Sequence, residues 1–199
     1  MIVVITGVPG CGKGKVMELA GKKMDVSILN FGDFMFRMAT ESGLVKDRDD
    51  MRKKIGMELT RAMQKKAAEA IGEEIGKLGE NVIIDTHCTI KTPAGYVPGL
   101  PFDVLRNLKP DAIVIREVDP GSIVERRNRD RATGVRSKRD EEEVSAIQLH
   151  QDLNRVYAAA YSAISGSTLK IVIDKKVEEY EFENADVAAQ ALLDVFGFK

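Results

Sequence analysis

Ile2-Val3-Val4-Ile5-Thr6-Gly7-Val8-Pro9-Gly10-Cys11-Gly12-Lys13 decides the fold of this chain. An apolar run of strand length leads into G-x-x-x-x-G-K, and residues with helical spacing follow from Lys13 to Lys22. The motif thus stands between a strand and a helix, where a phosphate loop has to stand. Glycines let successive backbone N–H groups turn toward phosphate oxygens without a side-chain clash, and the helix N-terminus adds partial positive charge. Gly7, Val8, Pro9, Gly10, Cys11, Gly12, Lys13, Gly14 and Lys15 are therefore the candidate triphosphate-binding residues, with Lys13 bridging the outer phosphates. Gly14 follows the lysine where the general motif carries Ser or Thr, so no hydroxyl is available there for a magnesium ion.

Outward from this loop, apolar runs at Val26–Asn30, Val82–Asp85, Ala112–Ile115 and Leu169–Ile173 read as further buried parallel strands. Helical spacing fills Met51–Leu78, Glu141–Ser165 and Asp186–Phe196, with Asp140 as an N-cap and Gly166 as a left-handed C-cap. Alternating strands and helices predict a three-layer α/β/α P-loop NTPase fold around a five-stranded parallel sheet. At 199 residues the chain is expected to form one domain over 1–199.

Composition narrows the function. Thirty basic against thirty-one acidic residues remove the overall electrostatic argument for a dedicated nucleic-acid binder. The two cysteines, Cys11 and Cys88, lack metal-ligand spacing and fit a reducing cytoplasm. No apolar run approaches the roughly 20 residues of a membrane span, and no basic leader precedes Ile2, so neither export nor insertion is expected.

Val82-Ile83-Ile84-Asp85 is an apolar strand ending in a carboxylate, which puts an acid at the carboxyl edge of the sheet beside the phosphates. Asp85 is the candidate for the Mg²⁺ shell, through water. His87 follows, suited either to orienting an acceptor phosphate or to capping the loop. Thr89 to Pro101 carries Pro93, Gly95, Pro98, Gly99 and Pro101, a shaped loop or short hairpin. Phe34, Met35, Phe36 and Met38 form either a base pocket or ordinary core packing. Lys15 is either a phosphate contact or a solvated helix residue.

Between Arg126 and Arg139 seven basic residues, Arg126, Arg127, Arg129, Arg131, Arg136, Lys138 and Arg139, face one acid, Asp130. Thr133-Gly134-Val135 interrupts them, the pattern of a short arginine-rich lid over about 126–139 that closes on the triphosphate. Planar guanidinium groups grip phosphate oxygens bidentately and stabilise charge on a transferring phosphoryl group.

Gly7-Val8-Pro9-Gly10-Cys11-Gly12-Lys13-Gly14 is similar to the phosphate loop of adenylate kinases and related nucleoside monophosphate kinases, with Lys15 in place of the usual Thr. The stretch from Asp85-Thr86-His87-Cys88-Thr89 through Gly95-Tyr96-Val97-Pro98-Gly99-Leu100-Pro101 closely resembles the archaeal version of that family. The resemblance implies reversible, Mg²⁺-dependent phosphoryl transfer from ATP to AMP, giving two ADP. It implies an acceptor-binding helical part over about 30–80, in which Asp33 and Arg37 meet AMP, with Arg52 as a further acceptor residue. It places Lys91 and His87 beside the AMP phosphate. Arg136 and Arg139 resemble the lid's catalytic arginines, joining Lys13 and Asp85, and Arg126 or Arg127 resembles the adenine-side arginine. Archaeal members of the family are homotrimers, and the same state is implied here by analogy. Two readings compete: a kinase acting on another small molecule or a pyrimidine monophosphate, and a nucleotide-dependent RNA-binding P-loop protein.

Overall fold

The computed structural model describes residues 1–47, 51, 55–133 and 143–197. In chain order the elements are β1 (Ile2–Thr6), α1 (Lys13–Lys23), β2 (Ser27–Asn30), α2 (Phe31–Glu41), α3 (Met57–Ile75), β3 (Val82–Asp85), β4 (Thr89–Thr92), β5 (Gly95–Pro98), α4 (Phe102–Leu108), β6 (Ala112–Glu117), α5 (Pro120–Ala132), α6 (Val144–Ser165), β7 (Thr168–Ile173) and α7 (Glu183–Phe196).

Five strands form one parallel sheet in the order β2-β3-β1-β6-β7, as expected. Side chains alternate across a strand, so each apolar run supplies two cores at once. Val4, Ile84, Ile113 and Ile115 face the layer of α2, α3, α4 and α6, packing with Met35, Ala67, Ile71 and Tyr161. Val3, Ile5, Ile83 and Val114 face the opposite layer, packing with Val16 and Ala20 of α1 and Ala188 and Leu192 of α7. Both faces of β1, β3 and β6 are dry, which is why these runs read as continuous rather than alternating. Phe34, Phe36 and Met38 pack partly buried against the first core with buried Met35, so this stripe is core packing.

Several boundaries differ from expectation for identifiable reasons. The helix expected over Met51–Leu78 is interrupted: Gly56 is extended at φ −66°, ψ 161° and caps α3, which runs only to Ile75. Glycine gains least from helical order, so the break falls there. The helix expected from Glu141 is described from Val144, after Glu143, which is extended at φ −72°, ψ 158° and whose carbonyl accepts from the Ala146 and Ile147 amides; Asp140, the expected N-cap, lies outside the described residues. At the other end Gly166 adopts φ 70°, the left-handed C-cap expected of it. β6 continues through the charged Arg116 and Glu117, both buried, which composition alone disguised. No helix among the described residues is long and apolar enough to cross a membrane.

β4 and β5 pair antiparallel as a hairpin, Thr89 opposite Pro98 and Thr92 opposite Gly95. Gln64 of α3 donates to Pro98 O at 2.9 Å, and Tyr161 Oη donates to Cys88 O at 3.0 Å, so the hairpin is pinned from both sides. Gly99 closes it: a Cβ there would lie 1.7 Å from His87 O.

Candidate active site

The phosphate loop with Lys13, together with Asn30, Asp85 and His87, meets at the carboxyl ends of β1, β2 and β3, the edge where open α/β sheets bind ligands. The loop from Gly7 to Gly12 leaves β1 and delivers α1. Gly10 and Gly12 hold φ of 92° and 85°, values that favour glycine. Gly7 is needed for space, since a Cβ would lie 2.6 Å from Cys11 Sγ and 2.8 Å from Arg116 O. Val8 and Cys11 are buried with Val118, Ile123 and Ile147, an apolar plug that seats the loop on the starts of α5 and α6. Cys11 therefore fills space. At Gly14 a Cβ would meet nothing within 4 Å.

Lys13, the first residue of α1, is buried, with its ammonium 3.3 Å from Asp85 Oδ1 and 3.4 Å from Gly7 O. His87 Nδ1 is 2.6 Å from Gly7 O, and a carbonyl only accepts, so the proton is assigned to Nδ1. That leaves the 3.2 Å approach of Lys13 Nζ to the same nitrogen as a contact between two donors, not a second hydrogen bond. His87 thus sits against the phosphate loop and Lys13.

Asp85 Oδ2 accepts from Asn30 Nδ2 at 2.8 Å, while Asn30 Oδ1 caps α2 by accepting from the Asp33 amide at 3.1 Å. One side chain at the end of β2 fixes both the carboxylate and the start of the next helix. Asp85 Oδ1 is buried and accepts no hydrogen bond; its ion pair with Lys13 lacks the alignment of one. An anionic oxygen left in that state fits a water or cation shell. Among the described residues no three His, Cys, Asp or Glu side chains gather into a metal cluster. A divalent ion beside Asp85 would take its remaining ligands from phosphate and water, the usual habit of Mg²⁺.

The other expected site residues make their recorded contacts elsewhere than with Lys13 and Asp85. Arg127 is buried beneath the loop, with Nε and Nη2 donating to Pro9 O at 3.1 and 2.6 Å. Arg126 is less buried, its Nη1 3.5 Å from where a Cβ on Gly12 would stand. Lys15 turns aside to Glu18 at 3.1 Å and lies 4.6 Å over the Phe182 ring. Asp33 and Arg37 stand exposed on α2, the Arg37 guanidinium 4.9 Å over the Phe34 ring. Lys91 is exposed on β4 opposite Tyr96. Arg52, Arg136 and Arg139 lie outside the described residues.

Sequence reasoning missed three contributors. Asn30 carried a signal, since Asn between a strand and a helix is a common N-cap. Gly99 sat among turn residues whose need for glycine is visible only once His87 O is in place. Arg116 gave no signal: it sits 3% exposed in β6, donates to Asp174 at 2.9 and 2.8 Å, and reaches Gly12 O with Nη1 at 3.0 Å.

A strand, a glycine loop cradling anions and a buried lysine facing an aspartate are common to many phosphoryl-transfer proteins; comparison narrows the choice. Residues 6–145 match the AAA domain family. An adenylate kinase of Thermoplasma volcanium is 46% identical over 182 residues, covering 92% of this chain and 93% of the relative. One of Pyrococcus abyssi is 41% identical over 196 residues, covering 98% and 94%. The chain belongs to the adenylate kinase family. Among solved structures, shikimate kinase from Bacteroides thetaiotaomicron superimposes with a TM-score of 0.63 at 14% identity, covering 100% of this chain and 99% of that one. The tunicamycin resistance protein of Deinococcus radiodurans gives 0.62 at 11% identity over 100% and 96%. At such identities these two speak for the P-loop kinase fold alone.

Proposed function

We infer that this chain is an ATP:AMP phosphotransferase, moving the γ-phosphoryl group of ATP onto AMP to give two ADP, reversibly. The observation that carries the reading is Lys13 at the N-terminus of α1, 3.3 Å from Asp85 on the neighbouring strand, in a chain 41–46% identical to adenylate kinases. Direct in-line transfer needs positioning and charge neutralisation, with little proton chemistry. The loop amides and Lys13 hold the β- and γ-phosphates. Asp85 would hold Mg²⁺ through water, and the ion would supply further neutralisation of phosphate charge.

Arg136 and Arg139 stabilise the charge of the transferring group from the lid over about 126–139, and Arg126 covers the adenine side. Arg127 is given the loop instead, because its guanidinium is spent on Pro9 O. Asp33, Arg37, Arg52 and Lys91 hold AMP from the helical part over about 30–80 and the hairpin. His87 supports transfer from the loop side, through Gly7. Lys15 reaches a phosphate only by leaving Glu18. The working form is a cytoplasmic homotrimer of one-domain subunits.

An acceptor panel tests the activity: ATP with AMP, CMP, UMP, GMP and shikimate, each with and without Mg²⁺, read as ADP formed. Magnesium-dependent turnover at least tenfold faster with AMP than with any other acceptor is expected. Faster turnover with another acceptor would transfer the reading to that substrate.

A further inference from the structure

Two arginines of this chain are spent on the backbone of the phosphate loop, and they take carbonyls three residues apart: Arg127 the oxygen of Pro9, Arg116 that of Gly12. A trans peptide is planar and points its C=O and the following N–H to opposite sides. Anchoring the Gly12 carbonyl outward therefore aims the Lys13 amide the other way, and anchoring Pro9 does the same for the Gly10 amide.

At Gly12 the anchor visibly competes with the helix. Its carbonyl is the acceptor of the first bond of α1, yet the Val16 amide lies 3.5 Å away while Arg116 Nη1 lies at 3.0 Å. The left-handed φ of Gly12 and the 2.9 Å gap between a Cβ there and Nη1 show the guanidinium and the glycine fitted to each other. Arg116 is itself held: Nε and Nη2 grip both oxygens of Asp174, each of the two side chains is 3% exposed, and the Asp174 amide donates to Glu117 O at 2.9 Å. Asp174 neutralises the guanidinium, so what reaches the loop is chiefly direction rather than charge.

We propose that Arg116, fixed by Asp174 just past β7, is a positioning residue for the donor nucleotide, holding the Gly12–Lys13 peptide in its phosphate-binding orientation. It rests on the donor reading of the loop, which ATP binding by the wild-type protein tests separately. The β6–β7 edge of the sheet thereby takes part in donor binding while touching no substrate.

Removing one member of a buried ion pair strands the other and threatens the fold, whereas replacing both by apolar groups is often tolerated. The decisive variant is therefore Arg116→Met/Asp174→Leu, with Arg116→Lys as its companion, since lysine keeps the charge beside Asp174 but lacks the fork that reaches Gly12 O. Circular dichroism and thermal melting establish the fold of each; initial rates with ATP and AMP varied independently give the rest. Expected is a rise of tenfold or more in KM for ATP, or an equal fall in kcat, with KM for AMP within twofold of wild type, in whichever variant melts cooperatively. A purely structural pair would move the melting temperature and leave the donor and acceptor constants in their wild-type ratio; that result in Arg116→Lys, or wild-type donor kinetics in the double variant, overturns the proposal.

Discussion

Lys13 and Asp85 share one buried contact, so Lys13→Ala removes the proposed phosphate ligand and also the counter-ion of a carboxylate whose Oδ1 has no hydrogen bond. The loss of an aligned charge at developing negative charge predicts a fall in kcat/KM of roughly a hundredfold or more. Stability should drop by only about 1–3 kcal/mol, the cost of an unsatisfied buried polar group; steady-state rates and chemical denaturation on the same sample separate the two. At Gly99 the balance reverses. A Cβ 1.7 Å from His87 O cannot be absorbed by a side-chain adjustment, because the clash is with backbone. Gly99→Ala should destabilise by about 3 kcal/mol or more as an overpacking change, read as a lower Cm in urea. Cys88 offers a pH test: burial pushes its thiol from 9.0 up to about 12. The unfolded chain releases that proton near pH 9 while the folded one retains it, so the contribution is whole below pH 9 and is lost progressively as pH rises toward 12. Tyr161, raised chiefly by burial, acts in the same direction. The fall in stability between pH 8.5 and 10.5 should be smaller in Cys88→Ala, each pH unit being worth up to about 1.4 kcal/mol; parallel curves for the two proteins would remove Cys88 from the explanation.

Among the elements, the strands were largely legible because both faces of β1, β3 and β6 are covered, so burial wrote itself as uninterrupted Val and Ile. Gly166 was equally plain, a glycine following a long helical pattern, and its φ of 70° makes Gly166→Ala cost about 1–2 kcal/mol; a thermal shift of several degrees checks it. Helix starts were less legible. Glu143 caps α6 through its backbone carbonyl with no side-chain cap bond, and Glu is not a preferred N-cap, so its chemistry gave no signal. Gly56 interrupts a pattern whose apolar spacing continues on either side, and spacing alone does not say whether a glycine is tolerated or breaks the helix. In the site, the motif residues announced themselves, while Arg116 did not: a buried arginine is unremarkable in sequence until Asp174, 58 positions later, and Gly12 are brought to it.

At the scale of the molecule, the order β2-β3-β1-β6-β7 gathers the loop after β1, Asp85 at the end of β3 and the Asn30 cap after β2 on one edge. The proposed function requires donor and acceptor phosphates to lie side by side along this edge. A ligand that binds only the folded state stabilises it by mass action, and one spanning both halves of the site should do so more than either nucleotide alone. P1,P5-di(adenosine-5′) pentaphosphate should therefore raise the melting temperature more than ATP or AMP at equal concentration; equality with ATP would mean that the acceptor half lies elsewhere. The central claim is that two nucleotides meet here and exchange one phosphoryl group. It is tested most directly by incubating the protein with ADP and Mg²⁺ alone and separating the products by chromatography. ATP and AMP appearing in equal amounts, toward a common equilibrium from either direction, is the predicted result; AMP and inorganic phosphate without ATP, or unchanged ADP, would contradict it.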